Sequence, residues 1–103
     1  DAFKMKVINV HPAILPSFPG LEAQKQALEY GVKIAGASVF FVDLSVDGGP
    51  LIVQGSCNVL EGDSVDALSN RILEIEHRIL PEAIKLIALG KVKIDGRRVL
   101  ISG

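Results

Sequence analysis

The sequence has little of several features that mark specialised classes of protein. Its 103 residues include a single cysteine, Cys57, so no disulfide can form within the chain, which fits a reducing compartment. Eleven basic residues are offset by twelve acidic ones, which argues against a basic surface for nucleic acid. Apolar runs such as residues 34–42 are too short to span a bilayer, and residues 1–6 lack the apolar stretch of a signal peptide. We therefore expect a soluble, cytoplasmic protein without a nucleic-acid or membrane partner.

The composition is that of a globular protein. Hydrophobic residues make up 49% of the chain and charged residues 22%, which gives no sign of disorder. A chain of this length can bury one core. We expect residues 1–103 to form a single domain or part of one, because neither a repeat nor an interdomain linker is visible.

Short apolar runs and helix-forming segments predict an α/β fold. Residues 5–10, 38–44 and 51–55 have the apolar, β-branched character of buried strands. Residues 21–30 contain good helix formers and are followed by Gly31, a common helix C-terminus. The first strand begins almost at the start of the chain and would be an edge strand, although its composition is that of a buried one. We therefore expect that an N-terminal portion is missing.

A longer helix should follow the third strand, with Asp63 or Ser64 as its N-cap. Pro81 is expected to bend or divide this helix. After it, Asp95-Gly96 is a strong signal for a two-residue turn in an antiparallel hairpin. Apolar residues at helical spacing predict one buried stripe along the helix: Leu68, Ile72, Ile75, Ile79 and Ala83.

Asn9 and His11 are the first candidates for chemistry. They lie two positions apart at the end of the first strand, so their side chains should leave the same face. Ligands of α/β sheets bind at the carboxyl ends of strands. An amide can stabilise an oxygen that gains negative charge, and an imidazole can move a proton near neutral pH. The alternative is a strand end whose Asn and His only satisfy backbone groups of the loop.

Asp47 is a third candidate, in the glycine-rich segment Asp47-Gly48-Gly49-Pro50. A carboxylate beside a histidine can orient the ring and stabilise its cation. Asp-Gly-Gly-Pro is also a common turn, and the sequence spacing of 36 residues does not show that Asp47 and His11 meet.

These residues lie in segments that together resemble the glycinamide ribonucleotide formyltransferase family. Residues 9–21, Asn-Val-His-Pro-Ala-Ile-Leu-Pro-Ser-Phe-Pro-Gly-Leu, are similar to the family signature Asn-Ile-His-Pro-Ser-Leu-Leu-Pro and its following Pro-Gly-Leu. Residues 46–54 resemble the family's aspartate loop and next strand, and Glu76-His77 falls on its long helix. The resemblance covers essentially the whole chain. It implies the C-terminal half of a formyltransferase-type fold: a mixed, mainly parallel sheet flanked by helices, with a C-terminal β-hairpin.

The resemblance implies an acyl transfer from 10-formyltetrahydrofolate to the amine of glycinamide ribonucleotide, without a metal. Asn9 would hydrogen-bond the formyl oxygen, His11 would assist proton transfer, and Asp47 would position or polarise His11. Glu76 would contact the ribose of the nucleotide. The folate pocket would be lined by residues of one loop: Val42, Asp43, Leu44, Val46 and Asp47.

The sequence also departs from the family pattern. Phe40 stands where the family usually has a histidine, and Glu22 stands at another usual histidine. No phosphate-binding Gly-Ser-rich loop is present, which in the family belongs to a Rossmann-like N-terminal half. We therefore expect that this chain pairs with a separate N-terminal half or associates with itself.

Three alternatives remain open at this point. A formyltetrahydrofolate hydrolase would pass the formyl group to water, but that family usually has a second histidine where this chain has Pro12. A methionyl-tRNA formyltransferase would need a basic patch for tRNA. The third alternative is an inactive or incomplete fragment that acts only as a docking module.

Overall fold

The computed structural model describes residues 7–42 and 48–102. Their helices and strands follow one another as α/β elements, and a β-hairpin comes last, so the predicted α/β class and C-terminal hairpin are confirmed. Three strands form one sheet and the last two form the separate hairpin. The elements are β1 (Ile8–His11), α1 (Ala23–Tyr30), β2 (Ile34–Phe41), β3 (Leu51–Asn58), α2 (Val65–Ala88), β4 (Val92–Asp95) and β5 (Arg98–Ile101).

The sheet has the strand order β1-β2-β3, and both strand pairs are antiparallel. The parallel strands expected of the family's mixed sheet are therefore not among these three. Parallel neighbours need a crossover of about a dozen residues or more, whereas β2 and β3 are joined by the short segment 42–50. Consecutive strands connected so closely can only fold back on each other.

The core lies between α2 and one face of the sheet. The predicted stripe of α2 is confirmed, because all five of its side chains are buried. Alternate residues of β2 face the helix, since successive side chains of a strand point to opposite sides. The buried cluster consists of Leu68, Ile72, Ile75, Ile79 and Ala83 of α2 with Ala35, Ala37, Val39, Phe41 and Ile52 of the sheet.

Helix α2 begins at a capped N-terminus, as predicted. The hydroxyl oxygen of Ser64 accepts a hydrogen bond from the backbone N–H of Ala67 at 3.0 Å. Pro81 lies inside the helix, which continues to Ala88, so of the two expected effects, a bend or a division, the division does not occur. An internal proline costs about 3 kcal/mol. Ile79 and Ala83 are buried on either side of it, and their packing on the sheet opposes a break.

The boundaries of strand β2 and of the hairpin turn differ from those expected from the sequence. Strand β2 begins at Ile34, four positions before the predicted Ser38. In the hairpin, Asp95 pairs with Arg98, so the two turn residues are Gly96 and Arg97. Gly96 has φ of 62°, a left-handed conformation that suits glycine.

No helix among the described residues is long and apolar enough to cross a membrane.

Candidate active site

Asn9 and His11 lie at the end of β1, two positions apart. Val10, between them, packs against the core cluster, so Asn9 and His11 leave the opposite face of the strand. Asn9 is exposed, whereas His11 is buried with 6% of its surface accessible. The strand end therefore presents an amide to solvent beside an imidazole held within the protein.

The orientation of the Asn9 amide is set by the backbone of the next residue. Its Oδ1 accepts a hydrogen bond from the N–H of Val10 at 2.8 Å. This contact directs the NH₂ end of the amide away from Val10, as a donor group. Such a donor is what an oxygen with developing negative charge requires.

The ring of His11 is fixed by the proline-rich loop after β1. Its Nε2 atom lies 2.8 Å from the carbonyl oxygen of Phe18, seven residues along the chain. A carbonyl can only accept, so this nitrogen carries the hydrogen and His11 donates. Phe18 has φ of 49°, a left-handed conformation that is uncommon for a non-glycine residue. Its ring meets that of Tyr30 edge-on, with centroids 5.8 Å apart.

The loop after β1 is attached to the sheet by two polar side chains, Ser38 and Gln54. The fully buried Ser38 hydroxyl donates to the carbonyl of Ala13 and accepts from the N–H of Leu15. Gln54 donates to the carbonyl of Leu15 and to the Ser38 oxygen. His11, Ser38 and Gln54 are register neighbours across β1, β2 and β3.

Sequence reasoning gave no role to Ser38 or Gln54. A serine inside an otherwise apolar strand was the only available signal, because a buried hydroxyl must find partners. Those partners are backbone groups of a distant loop, which no spacing rule identifies. Phe18 was missed for the same reason, since its carbonyl rather than its side chain makes the contact with His11.

Glu76 lies on α2, half-buried, beside a shallow pocket next to β1. Burial raises the pKa of its carboxyl group above the ordinary value of 4.5, while the nearby charges of His77 and His11 act in the opposite direction. Glu76 is thus within electrostatic reach of His11. The pocket is lined by Val10, Leu73, Glu76, His77, Leu80 and Pro81.

Phe40, the departure from the family pattern, is paired with Asn9 in the β1–β2 register. Only 3% of its surface is accessible. Phe40 therefore lies on the sheet face that carries Asn9 and His11, where it offers an aromatic ring instead of a titratable one.

Most of the predicted folate loop lies outside the described residues, namely Asp43, Leu44, Val46 and the third catalytic candidate, Asp47. Val42 is described: it is half-buried, and its N–H donates to the carbonyl of Val7 at 2.8 Å. At the other end of this loop, Arg97 of the β-hairpin donates to the carbonyl of Gly48.

Among residues 7–42 and 48–102, no three His, Cys, Asp or Glu side chains are grouped in a way that could hold a metal ion.

Comparison with known proteins places this site in a family. Residues 1–84 match the model of the family described as formyl transferase. The chain is 43% identical over 85 residues to phosphoribosylglycinamide formyltransferase of Bacillus subtilis (strain 168), which covers 82% of this chain and 44% of that protein. It is 46% identical over 89 residues to the trifunctional purine biosynthetic protein adenosine-3 of Gallus gallus, covering 86% of this chain and 9% of that protein.

A solved structure shows the same fold. Glycinamide ribonucleotide transformylase 1 from Symbiobacterium toebii superposes with a TM-score of 0.97 at 58% identity, covering 99% of this chain and 48% of that one. The chain therefore spans about half the length of the single-activity relatives that it matches, and less than a tenth of the trifunctional one.

Proposed function

This chain belongs to the formyl transferase family, and we propose that it is the catalytic half of a phosphoribosylglycinamide formyltransferase. The reaction would move the formyl group of 10-formyltetrahydrofolate to the amine of glycinamide ribonucleotide, a step of purine biosynthesis in the cytoplasm. The names of the Bacillus and Symbiobacterium relatives support the nucleotide substrate and the transfer of a formyl group. The folate donor is what the family resemblance implies. The Gallus relative supports the pathway, since its name assigns it to purine biosynthesis.

The observation that carries the proposal is the Asn9–His11 pair at the end of β1. When the substrate amine attacks the formyl carbon, negative charge develops on the formyl oxygen. The NH₂ group of Asn9, whose Oδ1 is held by Val10, is proposed to donate to that oxygen. His11 is proposed to move the proton that the attacking amine loses, toward the departing folate nitrogen. The formyl group would pass directly from folate to the amine, so this role of His11, whose ring is held by the Phe18 carbonyl, needs no covalent enzyme intermediate.

Asp47 is proposed to position His11 and to help shuttle its proton. The support is the resemblance of residues 46–54 to the family's aspartate loop, because Asp47 lies outside the described residues. The same loop is proposed to line the folate pocket with Val42, Asp43, Leu44, Val46 and Asp47. The hydrogen bonds of Val42 to Val7 and of Arg97 to Gly48 tie the two ends of this loop to the rest of the fold.

Glu76 is proposed to bind the ribose of glycinamide ribonucleotide. A carboxylate accepts hydrogen bonds from sugar hydroxyls, and Glu76 lines the pocket beside β1. The pocket lies next to β1, the strand that carries Asn9 and His11, which supports a nucleotide bound near the catalytic pair.

We further propose that a partner completes the site. Strand β1 is an outer strand of the sheet, and the chain spans about half of its single-activity relatives. The partner would be a separate N-terminal half that binds the substrate phosphate, or a second copy of this chain. An outer strand with an unpaired edge can accept such a neighbour through backbone hydrogen bonds.

The test is a formyl-transfer assay that follows the release of tetrahydrofolate, with the chain alone and with the unmatched part of the Bacillus relative added as a separate polypeptide. We expect activity only in the mixture. There, His11→Ala should lower kcat by about a hundredfold or more, whereas Lys85→Ala, at an exposed position of α2 outside the pocket lining, should change it little. Asp47→Asn should also lower kcat.

The assay separates the other interpretations. If folate were released at the same rate without glycinamide ribonucleotide, with formate as product, the protein would be a formyltetrahydrofolate hydrolase. If the complementing polypeptide bound the chain but no variant or mixture turned over substrate, the chain would be a docking module and the proposed activity would be wrong.

A further inference from the structure

Ser38 stands out among the described side chains as a polar group in the middle of a buried strand. Its accessible surface is 0%, and its β2 neighbours Ala37 and Val39 are equally buried apolar residues. A hydroxyl in such a place costs stability unless its hydrogen-bonding capacity is used. Ser38 makes three hydrogen bonds, so the cost is offset and the group has a specific structural task.

All three bonds point to one place. The Ser38 oxygen lies 2.7 Å from the carbonyl oxygen of Ala13 and 3.0 Å from the nitrogen of Leu15. The side-chain amide of Gln54 lies 2.9 Å from the same hydroxyl oxygen and 3.0 Å from the carbonyl oxygen of Leu15. Together the two side chains hold both backbone groups of Leu15, four residues after His11.

The held segment leads directly to the contact that fixes His11. Ser17 donates its N–H to the carbonyl of Ile14 at 3.0 Å, which closes a turn that contains the anchored Leu15. Phe18 follows in its left-handed conformation and directs its carbonyl at His11 Nε2. The anchor therefore acts together with the ring contact to Tyr30 in keeping Phe18 in this uncommon conformation.

We propose that Ser38 and Gln54 are positioning residues that hold residues 13–18 in place, so that the Phe18 carbonyl fixes the His11 ring with its hydrogen on Nε2. Because a carbonyl accepts only, the neutral ring then carries its lone pair on Nδ1. The two side chains select one tautomer and one orientation of His11 from a distance. The contribution of this anchor to catalysis rests on the proposed function. Its effect on the tautomer and orientation of the His11 ring is independent of that function.

The test uses the full chain labelled with ¹⁵N and reads the ring nitrogens of its two histidines by NMR above the ordinary imidazole pKa. His77, exposed on α2, is an internal reference. In the wild type, His11 should show predominantly the Nε2–H tautomer. Ser38→Ala should shift the His11 ring resonances toward the mixture of tautomers that the exposed His77 shows.

Val39→Ala is the matched control. Val39 is the next residue on β2, is also fully buried, and belongs to the opposite, α2-facing side of the sheet. This variant should be less stable than the wild type but keep the His11 tautomer. Gln54→Ala provides a second variant at a more accessible position, should Ser38→Ala not fold, and it should shift the tautomer in the same direction.

The inference is overturned if Ser38→Ala or Gln54→Ala leaves the His11 tautomer as in the wild type while lowering only stability. In the complemented enzyme, Gln54→Ala should lower kcat by about tenfold with little change in KM. A shifted tautomer in an enzyme without formyl transfer would support the anchor and refute the proposed activity, so the two failures are distinguishable.

Discussion

Glu76 of α2 and Val10 of β1 line the same shallow pocket, where the helix meets the strand. Burial raises the pKa of Glu76, and the charges of His77 and His11 pull it back only in part. A carboxylate is thus kept partly out of water in this pocket, a position suited to a ligand hydroxyl that would satisfy it.

The first prediction concerns the pH dependence of Glu76→Gln. With its pKa raised in the folded state, Glu76 favours folding below its ordinary value of 4.5, and this contribution is lost as pH rises through the folded pKa. Glutamine does not titrate. The variant should therefore gain stability relative to the wild type as pH rises, by less than about 1 kcal/mol because water still reaches the carboxyl group.

Urea unfolding followed by circular dichroism at several pH values measures this difference. Glu82→Gln, at an exposed position of the same helix, is the matched control and should show no such trend. A Glu76→Gln variant whose stability difference stays constant from acid to neutral pH would contradict the electrostatic account.

The second prediction concerns Asp63, which binds Arg71 through two hydrogen bonds of 2.7 and 3.0 Å. The hydrogen bonds from Arg71 and from the N–H of Leu60 lower the pKa of Asp63 below its ordinary value of 3.8. The stabilisation is present above this value and lost as pH falls through the folded pKa. Asp63→Asn should destabilise the protein at neutral pH and converge with the wild type in acid.

A double-mutant cycle checks the pairing itself. Arg71→Gln should give a similar loss at neutral pH, and the double variant should lose little more than either single one. Additive losses would mean that Asp63 acts mainly through Leu60 and the start of α2 rather than through Arg71.

The fold elements were predictable where one local rule governed them. The stripe from Leu68 to Ala83 follows the helical period, and Ser64 caps α2 because its side chain reaches only three residues ahead. The sequence does not decide between a bend and a break at Pro81, whereas tertiary burial of Ile79 and Ala83 keeps the helix continuous around it. The antiparallel direction of the described strands was not predictable, because apolar runs carry no information on which neighbour a strand pairs with.

In the candidate site, too, the residues that a local rule governs were predictable and those brought together by long-range contacts were not. The spacing of Asn9 and His11 predicts a shared face, and β1 provides the strand on which that rule applies. The ties that orient His11 come from Phe18, Ser38 and Gln54, which are 7, 25 and 39 residues away from the groups they bind. Only the folded chain brings such partners together. Asp47 stays a prediction, because it lies outside the described residues.

The third prediction concerns the N-cap of α2. Ser64→Ala removes the acceptor for the N–H of Ala67 and should lower the free energy of unfolding by about 1 kcal/mol. Ser69→Ala, within the same helix, is the control and should be neutral or slightly stabilising, since alanine has the higher helix propensity. Equal effects at the two serines, measured by urea unfolding, would show that the cap contributes nothing.

The last prediction concerns Gly36, where β2 and β3 approach so closely that no side chain fits. A Cβ atom added there would overlap the carbonyl oxygen of Gly55 and lie 2.9 Å from the Cα of Ser56. Both are backbone atoms of the paired strand, so relief requires opening the ladder beside Ser38. Gly36→Ala should cost about 3 kcal/mol or more, and it should disturb the His11 tautomer because the anchor of the loop spans the same two strands.

Gly62→Ala is the matched control for this substitution. Gly62 lies in a turn with φ of +84° and has nothing within 4 Å of an added Cβ, so alanine there meets backbone strain but no clash. That strain costs about 1–2 kcal/mol and should leave His11 unchanged. Urea unfolding and the His11 ring spectrum separate the two cases. If Gly36→Ala were no more costly than Gly62→Ala, the strands could part without penalty, and a rigid β2–β3 frame could not be what holds the loop of His11.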